Sequence, residues 1–142
     1  MTTNLIELAE KFAREIEWQL VPDDLTLDDC VPFVLAGIQK LYVMTGRALS
    51  YRVELIIKDE GGFPIGFNAT FPLDEEMYIL TYAKIAFYTK VQSDVNELES
   101  YTTDAMTVAN ADKPFRNLAD MIADLKRELV EIWHKMPRYN ML

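Results

Sequence analysis

The sequence DEEMYILTYAKIAFYTKVQSDVNEL spans residues 74–98 and decides the fold. Between residues 77 and 88 its only formal charge is Lys84, so a helix here would be apolar around most of its circumference. Such a helix belongs in a core, with other elements packed around it. Beyond Lys90 one face becomes polar. We therefore predict a central helix that Asp74 caps, buried in its first half and exposed in its second.

Two helices are predicted before this segment. The first covers residues 4–20, where apolar residues recur at helical spacing after the capping residue Asn4. The second begins near Asp28, because Pro32 is tolerated only within the first turn of a helix, and Thr26 as the cap would place Pro32 too deep. It ends at Gly46, which suits the left-handed exit that closes many helices.

The period of the hydrophobic residues changes from 3.6 to 2 between residues 51 and 71. Two alternating runs flank the turn sequence Asp59-Glu60-Gly61-Gly62, which predicts a β-hairpin. The residues expected on its inner face are Tyr51, Val53, Leu55, Ile57, Ile65, Phe67, Ala69 and Phe71. A lone two-stranded hairpin is marginally stable in water, so it must lie on the helices or on another subunit.

The C-terminal third is predicted to contain a long connection and one more helix. Residues 99–112 are rich in polar and small residues without a helical stripe, and a loop of this length is typically functional or ordered by a partner. The helix over 112–136 carries apolar residues at alternating spacings of three and four, which suits a nearly antiparallel or supercoiled neighbour. The expected fold is one domain over residues 1–142, mainly α: a small bundle of about four helices with an inserted β-hairpin.

The charge and cysteine content narrow the classes of function. The chain has 142 residues and a formal net charge of -9, which argues against binding nucleic acid or anionic lipid through phosphate neutralisation. Cys30 is the single cysteine, so no intrachain disulfide forms and a reducing compartment is expected. The N-terminal segment carries charges throughout, which predicts neither a signal peptide nor a membrane span.

The sequence offers little catalytic chemistry. Four carboxylates cluster at Asp23, Asp24, Asp28 and Asp29, but they lack the pattern and the glycine of an EF-hand loop. Glu131 and His134 have the spacing of a di-iron ligand pair, yet such a bundle needs two pairs and the chain has one histidine. A site shared between subunits stays open. We expect no catalytic residues, no metal and no cofactor, and an interaction protein rather than an enzyme.

Three stretches resemble the head-tail connector proteins of tailed bacteriophages, the adaptors that form a ring beneath the portal. DDCVPFVLAGIQKLYVMTGR at residues 28–47 is similar to their helix ending in TGR, and TYAKIAFYTKVQSDVNE at 81–97 to their middle helix. SYTTDAMTVANADKPFRN at 100–117 resembles the polar loop before their final helix.

The resemblance implies a virion protein of the neck that is made in the host cytoplasm. It implies a homo-oligomeric ring, commonly a dodecamer, that joins the portal protein to a tail or stopper protein. The genomic DNA would pass through the lumen without sequence-specific binding, and an acidic lumen would not hold it. No membrane is involved.

The resemblance also points to contact residues. The portal-contact candidates lie at the end of the last helix and in the tail: Trp133, Met136, Arg138, Tyr139, Asn140, Met141 and Leu142. The subunit-contact candidates lie in the loop and the hairpin: Tyr101, Thr102, Asp104, Met106, Val108, Phe63 and Ile65. The alternative interpretation is a non-viral cytosolic interaction or regulatory module that docks a partner through its hairpin or its C-terminal helix.

Overall fold

The computed structural model describes residues 2–16, 25–101 and 118–136, with the backbone alone for Val53 and 95–101. The described chain is mainly helical with a small antiparallel sheet, which confirms the predicted fold class. In chain order the elements are β1 (Thr3–Asn4), α1 (Leu5–Glu15), α2 (Leu27–Met44), β2 (Ile56–Lys58), β3 (Pro64–Phe67), α3 (Leu73–Tyr101) and α4 (Leu118–Lys135). Two short 3-10 turns, Ala48–Ser50 and Val53–Leu55, lie between α2 and β2.

Helix α3 is the central element, as predicted, with α1, α2 and α4 packed around it. Its first half is buried on almost every side, at Tyr78, Ile79, Leu80, Thr81, Ala83, Ile85, Phe87 and Tyr88. The helix runs to Tyr101, three residues beyond the predicted end. It begins at Leu73, so Asp74 is not the cap but lies in the first turn, where its carboxylate accepts a hydrogen bond from the Glu75 N–H at 3.0 Å.

Helices α2 and α4 both run antiparallel to α3. Phe33 near the start of α2 packs edge to face on Phe87, with ring centroids 5.6 Å apart, whereas Arg47 just beyond its end reaches Glu75. On α4 the ring of Trp133 lies 6.2 Å from that of Tyr78. The apolar stripe of α4 faces the core, with Ile122 and Met136 buried and Leu125, Leu129 and Ile132 half-buried, which confirms its predicted antiparallel packing over 118–136.

One predicted boundary of each of the first two helices was wrong: the end of α1 and the start of α2. Asn4 caps α1 by accepting from the N–H groups of Ile6 and Glu7, as predicted. The helix ends at Glu15 rather than at residue 20, because Ile16 turns into an extended conformation, with ψ 153°, and is buried in the core. Residues 17–20 lie outside the described part of the chain.

Helix α2 begins one residue earlier than predicted, and Pro32 lies inside it. Thr26 and Asp29 form a capping box, in which the Asp29 N–H donates to Thr26 Oγ1 at 3.3 Å and the Thr26 N–H to Asp29 Oδ2 at 3.0 Å. Such a cap contributes about 1 kcal/mol, which offsets part of the hydrogen bond that the proline removes. The prediction that Thr26 could not be the cap was wrong, because the helix tolerates Pro32 beyond its first turn.

The sheet differs from the predicted hairpin in extent and in strand number. Its order is β1-β3-β2, so the N-terminal strand adds a third member that is too short to give a sequence signal. The 3-10 turn over Val53–Leu55 shifts the alternation by one residue. Ile56, not Ile57, is therefore half-buried and pairs with the fully buried Phe67, whereas Ile57 is exposed.

Candidate interaction surface

The described residues contain no group of three or more His, Cys, Asp or Glu side chains that could hold a metal ion. Asp29 belongs to the capping box of α2, and Asp23 and Asp24 lie outside the described residues. Glu131 and His134 are both exposed on α4. Cys30 is buried, and burial, together with the charge of Asp29, raises the pKa of its thiol, which disfavours the reactive thiolate.

One groove of about 360 Å³ opens between the start of α2 and the second half of α3. Phe33, Phe87 and Val91 form its apolar wall. Its rim carries charges of both signs, including Lys90 and Asp94, whose Nζ and Oδ2 atoms lie 3.4 Å apart. Because this pair neutralises itself, the rim presents no converging charge to a ligand.

The opposite end of the bundle, which we call the sheet end, brings together several chain segments. It comprises the three strands, the last turn of α2, the first turns of α3 and the last turn of α4. Phe67 of β3 ties the sheet to α2 by packing on Tyr42, with ring centroids 5.9 Å apart. The Thr3 hydroxyl donates to the Ala69 carbonyl at 2.5 Å and holds the N-terminal strand in place.

The segment Thr45-Gly46-Arg47 closes α2 at this end with a Schellman motif. The Arg47 N–H donates to the Tyr42 carbonyl at 2.7 Å and the Gly46 N–H to the Val43 carbonyl at 3.2 Å. Gly46 has φ 76°, a left-handed conformation that glycine adopts without a steric cost. The prediction of Gly46 as the helix-ending glycine is confirmed.

The side chain of Arg47 connects this helix end to α3. Its Nε donates to Thr45 Oγ1 at 2.8 Å, its Nη2 lies 3.3 Å from Glu75 Oε2, and its guanidinium lies 4.8 Å above the centre of the Tyr42 ring. Glu75 is only 4% exposed. Burial raises the pKa of this carboxyl although the charge of Arg47 acts in the opposite direction. Thr45, Gly46 and Arg47 thus all have structural roles where the end of α2 contacts the start of α3.

Two groups of exposed apolar side chains lie at the sheet end. The Leu49 patch consists of Val43, Met44 and Leu49, of which Leu49 is 95% exposed on its 3-10 turn. The Leu73 patch consists of Leu73, 72% exposed, and Met77, 46% exposed, one turn apart on α3. With Ile57 and Ile65 of the sheet, they account for seven of the nine large hydrophobic residues that are exposed within the described chain. Such a concentration is typical of a contact surface.

The Leu73 patch lies on the side of α3 opposite to the side that contacts α2. Glu75 and Ile79 face α2, since they contact Arg47 and Gly37. Leu73 and Met77 each precede one of these residues by two positions, which is about 200° around a helix. The Leu73 patch therefore points away from α2, which carries the Leu49 patch.

The structure places some of the predicted contact residues. Trp133 is half-buried against Tyr78, and Met136 is 5% exposed in the core, so its side chain has little surface to offer a partner. Phe63 is half-buried, Ile65 is exposed, and Tyr101 is the last residue of α3. The other predicted contact residues lie outside the described residues: Thr102, Asp104, Met106, Val108, Arg138, Tyr139, Asn140, Met141 and Leu142.

The sequence reasoning did not find the two patches. A signal was present, because Leu49 follows a helix-ending glycine and Leu73 follows Pro72. Leu49 lies in a 3-10 turn and Leu73 is the first residue of α3, so at both positions a helix boundary interrupts the periodic pattern from which burial is predicted. No helix of the described chain is long and apolar enough to cross a membrane.

Comparison of the chain with protein-family models, with curated proteins and with solved structures finds no match.

Proposed function

We propose that this chain is a structural adaptor of a tailed-phage neck, which assembles beneath the portal and lets the genome pass. The observation that carries the proposal is the concentration of exposed apolar side chains at the sheet end. A subunit that works by assembly needs such a surface, and it does not need a catalytic site. The resemblance of three segments to connector proteins supplies the identity of the assembly.

The position of the C-terminus adds support. Met136, at the end of α4, lies at the sheet end, because the antiparallel packing of α4 places Trp133 beside Tyr78 in the first half of α3. The last described residue, Met136, therefore lies at the same end of the bundle as the exposed apolar patches. A portal that binds the tail after Met136 would also be close to the subunit surface that carries them.

The net charge of -9 fits the same role. Close contact with DNA across an acidic wall is repulsive, so the genome would slide past the adaptor instead of being held. No sequence-specific contact is required.

The alternative function, a cytosolic module that docks a partner through its C-terminal helix, is less well supported. The apolar stripe of α4 already packs on α3 within the chain, which leaves Val130 as the large hydrophobic residue exposed on this helix in the described region. Such a module could still dock its partner through the hairpin. The test of the adaptor function therefore has one outcome that favours the cytosolic module.

The test is assembly with the portal protein encoded by the same genome. The purified chain and that portal are mixed and examined by native mass spectrometry and negative-stain microscopy. We expect a ring of the chain on one face of the portal. A genome without a portal gene, or a chain that ignores its portal at all concentrations, would contradict the adaptor function and favour the cytosolic module.

A deletion locates the contact. Removal of residues 138–142 should abolish portal binding while the circular dichroism spectrum and melting temperature of the domain stay unchanged. The matched control is Val130→Asp, which alters an exposed residue of α4 outside the tail and should bind normally. Portal binding by the shortened chain would show that the tail is not the contact.

A further inference from the structure

We propose that copies of this chain associate through a heterologous contact, in which the Leu49 patch of one copy packs on the Leu73 patch of the next. The proposal identifies a binding surface and its partner, a second copy of the same chain. It deepens the proposed adaptor function by naming the subunit contact, but its evidence is the geometry and charge of the two patches.

The placement of the two patches allows such a contact. A heterologous contact needs two different surfaces on separate sides of one molecule. Leu73 and Met77 lie about 200° around α3 from the side that contacts α2, and the Leu49 patch belongs to the α2 side. One copy can thus contact two neighbours at the same time.

The two patches also lie at a similar level along the bundle. The 3.3 Å contact between Arg47 Nη2 and Glu75 Oε2 sets the residues around Arg47 beside those around Glu75. Leu49 and Leu73 are each two residues away from this pair. Neighbouring copies would therefore lie side by side with little shift along α3, and a repeated contact of this kind gives a ring when its rotation closes.

The chain segments that carry the two patches have charges of opposite sign. Between residues 40 and 52 every charged residue is basic, and between residues 71 and 83 every charged residue is acidic. Two ion pairs are satisfied within the chain: Arg47 pairs with Glu75, and Glu76 pairs with Lys11 of α1. Of the remaining charges, Arg52 and Asp74 form no salt bridge with any other described residue, so each is available to a neighbouring copy.

The contact should be apolar at its centre with opposite charges at its rim. Burial of Leu49 and Leu73 would remove two of the most exposed large hydrophobic side chains of the described chain from water. The unpaired charges favour this pairing of patches, because two Leu49 patches would bring two Arg52 side chains together and two Leu73 patches two Asp74 side chains.

The experiment uses two variants, each with a charged residue placed in one of the two patches. Leu49→Asp keeps the Leu73 patch intact, and Leu73→Asp keeps the Leu49 patch intact. Sedimentation velocity over a wide concentration range should show assembly of the wild type and at least a tenfold weaker self-association of each variant. An equimolar mixture of the two variants should form dimers and nothing larger, because only one pair of intact patches remains.

The control is Val130→Asp, which places the same charge on an exposed valine outside both patches and should assemble like the wild type. Far-ultraviolet circular dichroism confirms that each variant folds. Self-association of Leu73→Asp alone that equals the wild type would indicate a symmetric contact and would overturn the proposal. So would a wild-type chain that stays monomeric at millimolar concentration.

Disulfide trapping gives a second readout that does not depend on an added charge. Leu49→Cys and Leu73→Cys chains are mixed under mild oxidation, and we expect the mixed dimer to form faster than either homodimer. Cys30 is 1% exposed, so it should not compete. Equal rates for all three dimers would overturn the proposal. A chain that associates in this way yet ignores its portal would keep this inference and lose the adaptor function.

Discussion

The contact between α2 and α3 is held in two different ways along its length. In its middle, Gly37 lies against the backbone of Ile79, and a Cβ atom at residue 37 would lie 2.4 Å from the Ile79 carbonyl oxygen. At its end, Arg47 pairs with the buried Glu75 beside a left-handed glycine. The middle of the contact depends on the lack of a side chain at Gly37. The end of the contact depends on the charges of Arg47 and Glu75 and on the backbone conformation of Gly46.

This difference predicts different sensitivities. A close backbone approach fails when any atom is added, whatever the pH, because a neighbouring peptide group cannot move as a side chain can. An ion pair at a helix end tolerates changes of shape but responds to the loss of either charge. Substitutions at the two places should separate these effects.

The largest effect is expected for Gly37→Ala. Its methyl group would overlap a backbone oxygen, so the free energy of unfolding should fall by about 3 kcal/mol, although alanine is the better helix former. Chemical denaturation measures the change. Gly61→Ala is the matched control, since its added Cβ atom would lie 3.5 Å from its nearest neighbour in an exposed turn. A stable Gly37→Ala variant would show that the two helices are not in close contact here.

The next effect is expected for Arg47→Met, which leaves the Glu75 carboxylate buried without its partner. We expect a loss of about 2 kcal/mol, below the range for a deeply buried pair because more than a third of the arginine side chain is exposed. The double variant Arg47→Met/Glu75→Gln should recover much of this loss. Additive losses in the double-mutant cycle would mean that the pair does not couple.

A smaller effect is expected for Gly46→Ala. An alanine at φ 76° is strained by about 1 kcal/mol, so the melting temperature should fall by a few degrees. Gly46→Asn should lose less, because asparagine tolerates the left-handed region. Equal melting temperatures for all three chains would show that α2 can end without this turn.

The smallest effect concerns pH. Because burial raises the pKa of Glu75 in the folded chain above its usual value of 4.5, the folded state binds this proton more tightly than the unfolded state. The contribution of Glu75 to stability is therefore fully present below pH 4.5 and is lost as the pH rises through the raised pKa. Glu75→Gln should not show this loss.

The measurement is the difference in unfolding free energy between the wild type and Glu75→Gln across this pH window. It removes the background of the other carboxylates, which titrate in both chains. A difference that favours the wild type increasingly as the pH rises would indicate that the attraction of Arg47 outweighs burial.

Sequence reasoning was strongest where one local pattern decided the outcome. The apolar run around Lys84 predicted the buried half of α3, Asn4 predicted the start of α1, and Gly46 predicted the end of α2. In each case the cause lies within a few residues, in hydrophobic burial, a capping oxygen or a glycine conformation. The predicted turn at Asp59 is also confirmed, because the Asp59 N–H donates to the Phe63 carbonyl at 2.9 Å. The cause of this turn also lies within a few residues.

Prediction from the sequence failed where residues far apart in the chain decide whether a strand forms or a side chain is buried. The strand at Thr3 forms only because β3 is beside it, and Ile57 is exposed because a turn shifts the register before β2. The candidate surface depends in the same way on tertiary packing. Met136 falls on the predicted stripe of α4 and is buried, whereas Leu49 and Leu73 are exposed because no described element covers them.

The sequence by itself determined a mainly helical domain around α3, because hydrophobic periodicity, caps and glycines act over one or two turns. Only the tertiary structure decided that Arg47 meets Glu75 across 28 positions and that Leu73 and Met77 lie on the side of α3 away from α2. Those relations depend on how antiparallel helices align, and that alignment is set by close packing at contacts such as Gly37 and Ile79.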